Sequence, residues 1–413
     1  MTAKLHPETT FVHAARGGLA HSPAIDLSTT YRIDDLETGR ESLAAQAEGG
    51  EPVGTPIYAR LHNPTVRRFE EALASAEGAE DAVAYSSGMA AITALLLAAK
   101  QRGDHIVAVR PLYGGTDHLL ASGLLGLRTT FTDAADVAGA IEPTTSLVFL
   151  ETPGNPTLSL VDIAEVVAQA SLHDVPVAVD NTFATPVLQR PLDLGATYVV
   201  HSATKFIGGH GDALGGVIAT DKSAAKSLRQ IRIATGAVMH PIGGYMLHRG
   251  LQTLPLRIKA AQRNAQKLAS LLQSHPEIEQ VFYPSMGQDA MLCARQMKGP
   301  GAVLAFEVKG GMSAAADVMR KVKVITPAVS LGSVDTLIQH PAGLTHQIVT
   351  DDAKEAGKIT AGLLRLSVGI EDPDDLWKDL KQALGVSQSK HSDAAVSWPV
   401  MWTPKSQDRL TLS

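Results

Sequence analysis

The chain has 413 residues and a formal net charge of −6 at pH 7, and 45% of its residues are hydrophobic. A chain of this length is longer than one hydrophobic core ordinarily supports, so we expect two domains. The negative charge argues against broad binding to nucleic acid or anionic membranes, and the single cysteine, Cys293, excludes a disulfide framework and a cysteine-rich metal site. We expect a cytoplasmic protein, because MTAKLHPETT has no signal-peptide pattern and the longest apolar run, Met89 to Ala99, is too short for a bilayer.

The N-terminal half predicts an arm followed by an α/β domain. Residues 1–60 are rich in Thr, Gly and Pro, and we predict an irregular arm with a polar loop at ESLAAQAEGGEPVGT (41–55). From about Pro64 to Ala219, short apolar runs typical of strands alternate with helical patterns. Strands that are apolar on both faces, with helices between them, indicate an α/β fold with a mainly parallel sheet. The predicted strands are AVAYSS, HIVAVR, SLVFLET, VPVAVDN, TYVVHS and VIAT.

The C-terminal part predicts a second, smaller unit. Residues 243–274 predict one long helix, and a smaller α/β unit follows, with strands near VLAFEV and LLRLSVG. The last helix, DPDDLWKDLKQAL, starts where Asp372 can cap it and Pro373 suits its first turn. The sequence after Val386 is polar and predicts a loose extension. The predicted divisions are an N-terminal arm (1–60), a large domain (61–255), a C-terminal α/β domain (256–386) and a polar tail (387–413).

Polar residues follow four of the predicted strands. Ligands of open parallel sheets bind beyond the carboxyl ends of the strands, so these residues are candidates for a site. Each segment alone is ordinary turn or helix-cap chemistry, whereas an amine, a carboxylate, hydroxyls and a glycine turn together are more specific. The four segments are Ser86-Ser87-Gly88-Met89, Glu151-Thr152-Pro153-Gly154-Asn155, Asp180-Asn181-Thr182 and Ser202-Ala203-Thr204-Lys205.

Lys205 stands at the end of an apolar strand, before a run broken by glycines. A sheltered amine can become a Schiff-base nucleophile, because burial lowers its pKa, although most lysines are solvated surface residues. Asp180 ends another buried-type strand, where it could pair with Lys205 or hold the proton of a pyridinium ring. The turn through Ser86-Ser87-Gly88 leads into a helix whose first amides suit a phosphate. Together these features predict pyridoxal 5'-phosphate as the cofactor, and no metal.

Seven motifs occur in the order YARLHNPT (58–65), SSGMAAI (86–92), PLYGGT (111–116), ETPGNPT (151–157), VDNTF (179–183), HSATKFIGGHGD (201–212) and LLRLSVGIED (363–372). Together they resemble the cysteine/methionine-metabolism family of pyridoxal-phosphate enzymes, which includes cystathionine γ-lyase, cystathionine γ-synthase, methionine γ-lyase and the O-acylhomoserine sulfhydrylases. The likeness covers about residues 10–385, and the ordered set is far more specific than any one motif. It implies an aspartate-aminotransferase-like (fold type I) α/β enzyme.

The resemblance implies a role for each site residue. Lys205 would bind the cofactor aldehyde and later move protons between substrate carbons, Asp180 would pair with the pyridine nitrogen, and Tyr113 would stack on the ring and take part in acid–base steps. Arg365 would clamp the substrate carboxylate, for which a guanidinium is suited. The other binding residues would be Ser87, Gly88, Met89, Ser202 and Thr204 at the phosphate, and Asn155 and Ser330 at the cofactor and the carboxylate.

The resemblance also implies that subunits share their active sites. Tyr58 and Arg60 would reach the phosphate of the neighbouring subunit's cofactor from the N-terminal arm, so a homodimer would be the smallest active unit. A homotetramer is usual in the family. We expect an amino acid as the small-molecule partner, and neither nucleic acid nor a membrane.

The shared motifs leave the reaction open between γ-elimination, which gives a 2-oxo acid, ammonia and a thiol, and γ-replacement by an incoming nucleophile. Val329 stands where cystathionine-handling members tend to carry a glutamate, which favours an uncharged thioether, although a valine can also serve packing alone. Gly115 is typical of the synthases and cystathionine lyases, whereas methionine γ-lyases typically have a cysteine there. We predict a carbon–sulfur lyase acting on methionine or homocysteine, with cystathionine as a further candidate. The alternatives are a γ-replacement transferase of the cystathionine γ-synthase or O-acylhomoserine sulfhydrylase type, and a non-catalytic regulatory protein that binds the cofactor.

Overall fold

A computed structural model describes residues 5–15, 21–347 and 350–385. Its helices are α1 Pro7–His13, α2 Leu36–Ala47, α3 Pro64–Glu77, α4 Gly88–Lys100, α5 Gly114–Ala121, α6 Val137–Ala140, α7 Ile163–Ser171, α8 Thr185–Leu188, α9 Lys222–Thr235, α10 Pro241–Gln273, α11 Ala290–Gln296, α12 Gly311–Lys321, α13 Asp351–Ala356 and α14 Pro373–Leu384. Its strands are β1 Asp81–Tyr85, β2 His105–Val109, β3 Arg128–Thr132, β4 Thr145–Glu151, β5 Val177–Asp180, β6 Tyr198–Ser202, β7 Gly216–Thr220, β8 Ile278–Phe282, β9 Val303–Val308, β10 Thr326–Pro327, β11 Leu337–Gln339 and β12 Leu363–Ser367. Among these residues, no helix is both long and apolar enough to cross a membrane.

The larger sheet has seven strands in the order β1-β7-β6-β5-β4-β2-β3. Strand β7 runs antiparallel to both β1 and β6, and the other neighbouring pairs are parallel. The sheet is therefore mixed but mainly parallel, as predicted. Each of the six predicted strands is present, whereas β3 was missed because its sequence, RTTFT, is polar and only partly buried at the sheet edge. Strands β1, β2 and β5 are buried along their length, which explains their continuous apolar runs.

The smaller sheet has five strands in the order β10-β11-β12-β9-β8 and is mostly antiparallel. The long helix α10 was predicted within a few residues, and it packs against both sheets: Leu251 and Leu254 join the core of the large sheet, and Leu268 and Leu272 join that of the small sheet. The predicted boundary at 255/256 falls inside this helix. The division into domains stays a prediction.

The N-terminal arm is more regular than the sequence suggested, and the predicted loop is wrong for residues 41–47. These residues belong to α2, whose start is capped by the Asp35 carboxylate accepting from the Thr38 amide at 2.8 Å. Helix-forming alanines follow, and Gly49, in the left-handed region at φ 78°, comes just after the helix end. The helix was not predicted because the polar composition of this stretch was interpreted as that of a loop. At the other end, α14 begins at its predicted cap, Asp372, while the predicted tail lies outside the described residues.

Candidate active site

The predicted polar segments meet at one edge of the large sheet. Strands β4, β5 and β6 are parallel neighbours, so their carboxyl ends at Glu151, Asp180 and Ser202 lie side by side. Strand β1 reaches the same edge through Gly216 on β7, which pairs with both Tyr85 and Ser202. A Cβ at Gly216 would lie 2.1 Å from the Ser87 carbonyl oxygen, so only a glycine allows this close approach.

Hydrogen bonds through Ser330 connect Lys205, the predicted nucleophilic amine, with Arg365, which is predicted to bind the substrate carboxylate. The Lys205 Nζ donates to Ser330 Oγ at 2.7 Å, and Arg365 donates to the Ser330 carbonyl oxygen at 2.7 Å. The other guanidinium arm of Arg365 donates to Asn155 Oδ1 at 2.8 Å. Ser330 has a φ of 94°, a left-handed backbone that is costly for a non-glycine residue. Its strained backbone therefore lets one residue contact both cationic groups.

Burial changes the acidity of both cations. The pKa of Lys205 is lowered to about 8, first by burial and then by the positive charge of Arg365. Burial also lowers the pKa of Arg365 to about 10, a value at which the group still carries its charge near neutral pH. Roughly a tenth of the Lys205 amine is consequently neutral at about pH 7, and a nucleophile or a base reacts in this neutral form.

Asp180 is the last residue of β5, and its pairing with a pyridine nitrogen stays a prediction. Its side chain is buried, and one carboxylate oxygen accepts from the Thr182 amide at 3.0 Å. Burial raises the pKa of this carboxyl, and the bonds from Thr182 oppose that rise. A cation placed against Asp180, such as a pyridinium, would favour the ionised form.

Four of the residues predicted to bind the phosphate lie at the start of α4 and the end of β6. Ser87 caps α4 by accepting from the Ala90 amide at 3.1 Å, which leaves the Gly88 and Met89 amides in the first turn, where helix amides have no intrahelical acceptor. A Cβ on Gly88 would lie 3.1 Å from Ser202 Oγ, so the glycine brings this helix end against the serine hydroxyl. The arrangement suits a phosphate.

Thr204, also predicted at the phosphate, has its hydroxyl engaged with Gly215. Its Oγ1 accepts from the Gly215 amide at 3.0 Å and lies 3.3 Å from the Gly215 carbonyl oxygen. Within this chain Thr204 therefore fastens the turn after β6 to the segment before β7. Its contact with a phosphate stays a prediction.

Tyr113 immediately precedes α5, and 43% of it is exposed. Its backbone amide donates to Glu151 Oε2 at 2.7 Å. A Cβ at Gly115 would lie 2.7 Å from Cε1 of the Tyr113 ring and 3.3 Å from the Met89 sulfur. The missing side chain at residue 115 thus lets the ring lie close to the start of α5. Val329 is 53% exposed, so it is not a core residue of this chain.

Tyr58 and Arg60 lie together in an exposed segment. Arg60 donates to the Ile233 carbonyl oxygen at 2.8 Å, and its guanidinium carbon lies 5.6 Å from the centroid of the Tyr58 ring. Neither residue has a hydrogen bond to Lys205, Asp180 or Arg365 among those of the described residues. Their predicted role toward a neighbouring subunit stays a prediction.

Two residues of the site received no role from the sequence. Glu151 was recognised only as a strand end, and the signal for it was its place as the last residue of a buried strand. Gln339 pairs with Arg365 across β11 and β12, and with its amide oxygen turned toward the guanidinium it accepts from Arg365 at 3.0 Å. Nothing in the local sequence marked Gln339, because its partner is on a different strand.

Residues 8–385 match the family described as Cys/Met metabolism PLP-dependent enzymes. An L-methionine γ-lyase of Brevibacterium aurantiacum is 53% identical over 394 residues, which cover 93% of this chain and 96% of the relative. An L-methionine γ-lyase of Streptomyces avermitilis is 50% identical, over 92% of this chain and 89% of the relative. The predicted family and its cofactor, pyridoxal phosphate, are confirmed.

Solved structures in the same group have closely similar folds. A cystathionine γ-synthase from Xanthomonas oryzae pv. oryzae, in complex with aminoacrylate and cysteine, superposes with a TM-score of 0.86 at 36% identity, covering 92% of this chain and 98% of that one. A cystathionine γ-lyase from Micromonospora echinospora gives a TM-score of 0.83 at 36% identity, covering 93% and 100%. The predicted α/β architecture is thus shared with enzymes of both reaction types.

Proposed function

Because the chain belongs to the Cys/Met metabolism family of PLP-dependent enzymes, we propose that it removes the γ-substituent of methionine or homocysteine and releases a 2-oxo acid, ammonia and a thiol. The predicted class, a PLP-dependent carbon–sulfur lyase acting on a sulfur amino acid, is confirmed by the methionine γ-lyases to which the chain is 50–53% identical. The identity of the preferred substrate is our proposal.

The observation that carries the proposal is that Lys205 and Arg365 both hydrogen-bond to Ser330. An α-amino acid carries its amino group and its carboxylate on the same carbon, so an enzyme that handles both needs a nucleophilic amine close to a fixed guanidinium. Asn155 holds the guanidinium from its other side at 2.8 Å. The pair is therefore oriented before a substrate binds.

Pyridoxal phosphate, when bound, supplies an electron sink for the carbon that carries the substrate amino group. We assign its phosphate to the Gly88 and Met89 amides with the hydroxyl of Ser202, and its ring nitrogen to Asp180. In the deprotonated form, Lys205 Nζ accepts a proton from Cα of the substrate and can release it at another atom. Its lowered pKa, about 8, makes both directions accessible near neutral pH.

The other residues orient the substrate. Arg365 binds the carboxylate with donors on a planar guanidinium, while Asn155 and Ser330 keep that plane fixed. We assign to Tyr113 stacking on the cofactor ring and acid–base steps at the leaving group. Ser87 fixes the first turn of α4, and Thr204 the turn that carries Lys205.

We assign the active assembly to a homodimer with shared sites, within a homotetramer, on an aspartate-aminotransferase-like (fold type I) subunit. Large apolar side chains are exposed along the N-terminal arm in this single chain, among them Ile25, Leu27, Ile33, Leu36 and Leu43. Such a concentration marks a surface that another protein surface covers. Tyr58 and Arg60 lie in the same arm, which supports their action toward a neighbouring subunit.

Val329 supports methionine or homocysteine over cystathionine. It lies next to Ser330 and is 53% exposed, so an apolar substrate end could contact it without leaving a charge unpaired. Gly115 favoured the other members of the family, yet the relatives that are 50–53% identical are methionine γ-lyases. Val329 and these relatives therefore both favour methionine or homocysteine, against Gly115.

The second candidate, γ-replacement, is supported by the similarity to the solved cystathionine γ-synthase. One assay separates the two reactions. The holoenzyme is supplied with methionine, homocysteine, cystathionine or an O-acylhomoserine, with and without an added thiol, and the 2-oxo acid, ammonia and thioether products are measured. Without an added nucleophile, we expect 2-oxo acid and ammonia from both substrates, together with a thiol from methionine and hydrogen sulfide from homocysteine. Thioether formation from the O-acylhomoserine, with no product from methionine, would contradict the proposal.

A further inference from the structure

Glu151 is a buried carboxyl group in the centre of the candidate site, without a role in the reaction as described so far. It is the last residue of β4 and pairs in register with Asp180, the last residue of the parallel neighbour β5. Residues in register on neighbouring strands point to the same face of a sheet. Only 5% of Glu151 and 7% of Asp180 is exposed. Two carboxyl groups are thus held side by side away from water.

The hydrogen bonds of Glu151 go to the segments that carry other site residues. Its Oε2 accepts from the Tyr113 amide at 2.7 Å, and this amide belongs to the residue immediately before α5. The Asn155 amide provides a second backbone contact. Glu151 consequently connects the position of the Tyr113 backbone with the end of β4.

The charges around Glu151 disfavour its ionised form. Burial is the main reason that its pKa is raised well above the ordinary value, and the negative charge of Asp180 adds to the rise. The positive charge of Arg365, on β12, opposes this rise in the pKa of Glu151. The hydrogen bonds of its guanidinium, however, go to Asn155 and Ser330. Two adjacent buried carboxyls cannot both ionise without a large electrostatic cost.

We propose that Glu151 is a positioning residue that remains a neutral carboxylic acid, holding the Tyr113 backbone while Asp180 stays the ionised member of the pair. The inference rests on the proposed function, in which Asp180 serves the pyridine nitrogen and Tyr113 the ring. A cation at Asp180 stabilises the charge there, and that charge in turn keeps the proton on Glu151. Glu151 would then hold the Tyr113 backbone without adding a second negative charge beside Asp180.

The first test compares Glu151→Gln with Glu151→Ala in the holoenzyme. The glutamine amide is neutral and its oxygen can still accept from the Tyr113 amide, whereas alanine leaves that buried donor without a partner. We expect Glu151→Ala to weaken cofactor binding by about tenfold to a hundredfold, since an unsatisfied buried group is costly. Glu151→Gln should restore most of this loss, and it should keep the wild-type pH titration of the bound cofactor's absorbance. A glutamine variant as impaired as the alanine variant would overturn the proposal.

The second test measures the proton directly, through stability, and it remains valid where Glu151→Ala does not fold. A carboxyl whose pKa is raised in the folded protein keeps a proton that the unfolded chain releases above about pH 4.5. Stability from this group is therefore lost as pH rises toward the folded-state pKa. Relative to Glu151→Gln, the unfolding equilibrium constant of the wild type should increase about tenfold per pH unit over that window.

Both proteins are compared at one subunit concentration and with saturating cofactor, so that assembly and ligand effects cancel. If the unfolding equilibrium constant of the wild type, divided by that of Glu151→Gln, rises with pH, Glu151 is a neutral acid in the folded protein. A constant ratio between about pH 5 and 8 would mean that Glu151 is ionised in the folded protein, and the proposal would be wrong. Neither test depends on which amino acid is the substrate, so failure of the substrate proposal would leave both results unchanged.

Discussion

Replacing Arg365 with lysine tests whether a planar guanidinium holds the substrate carboxylate. Arg365 is 3% exposed, and its two arms donate to Asn155 Oδ1 at 2.8 Å and to the Ser330 carbonyl oxygen at 2.7 Å. A lysine keeps the charge but has one nitrogen, which cannot satisfy these two acceptors and also form a paired contact with a carboxylate. We therefore expect Arg365→Lys to impair substrate binding although the charge is conserved.

The magnitude follows from the hydrogen bonds that lysine cannot replace. Loss of one charge-assisted bond costs about 1.5–3 kcal/mol, and each 1.4 kcal/mol corresponds to about a factor of ten. We expect kcat/KM for methionine to fall by about tenfold to a hundredfold, mainly through an increase in KM. The pKa of Lys205 should change little, because the positive charge that contributes to lowering it is retained.

The assay is 2-oxo acid formation over a range of methionine concentrations, with the absorbance of the bound cofactor recorded in the same samples. Arg229→Lys is the matched control, because Arg229 is also buried, at 6% exposure, and is paired with Asp81 at 2.6 Å. We expect the control to lose stability with KM unchanged, which separates the cost of burying a lysine from loss of the clamp. An Arg365→Lys enzyme with bound cofactor and a KM within about twofold of the wild type would refute our reasoning, since even one lost bond predicts more.

Three further substitutions address the nucleophile, the shared site and the substrate. Lys205→Ala should abolish turnover and covalent attachment of the cofactor while the fold and assembly persist, as measured by absorbance and light scattering; turnover near the wild-type rate would exclude Lys205 as the nucleophile. Mixing Arg60→Ala subunits with Lys205→Ala subunits should recover some activity, because one of the two sites in a mixed dimer is intact, whereas inactive dimers shown to be mixed would mean that each chain builds its own site. Val329→Glu should shift the ratio of kcat/KM from methionine toward cystathionine by about one to two decades, since glutamate can pair with the distal ammonium; an unchanged ratio would show that Val329 does not contact the substrate.

The local sequence was sufficient for features that depend on neighbouring residues along the chain. Asp372 caps α14 as predicted because the cap and the amide that it binds are two residues apart. The buried strands were recognisable from continuous apolar runs, while the partly buried β3 was not. Helix α2 was missed because polar residues surround its alanines, and its cap at Asp35 lies before the stretch that was interpreted as a loop.

The sequence by itself determined the class of the protein, since the order of its motifs identified the family and the cofactor, and it predicted Lys205 and Asp180 as residues that serve this cofactor. Only the tertiary structure decided how these groups act on one another. Ser330 reaches Lys205 across 125 positions of the chain, and Arg365 reaches Asn155 across 210. The neutral state that we propose for Glu151 also depends on a neighbour on another strand and on exclusion of water. Acidity is set by the distance to charges and by burial, and neither is a property of the residues next to it in the sequence.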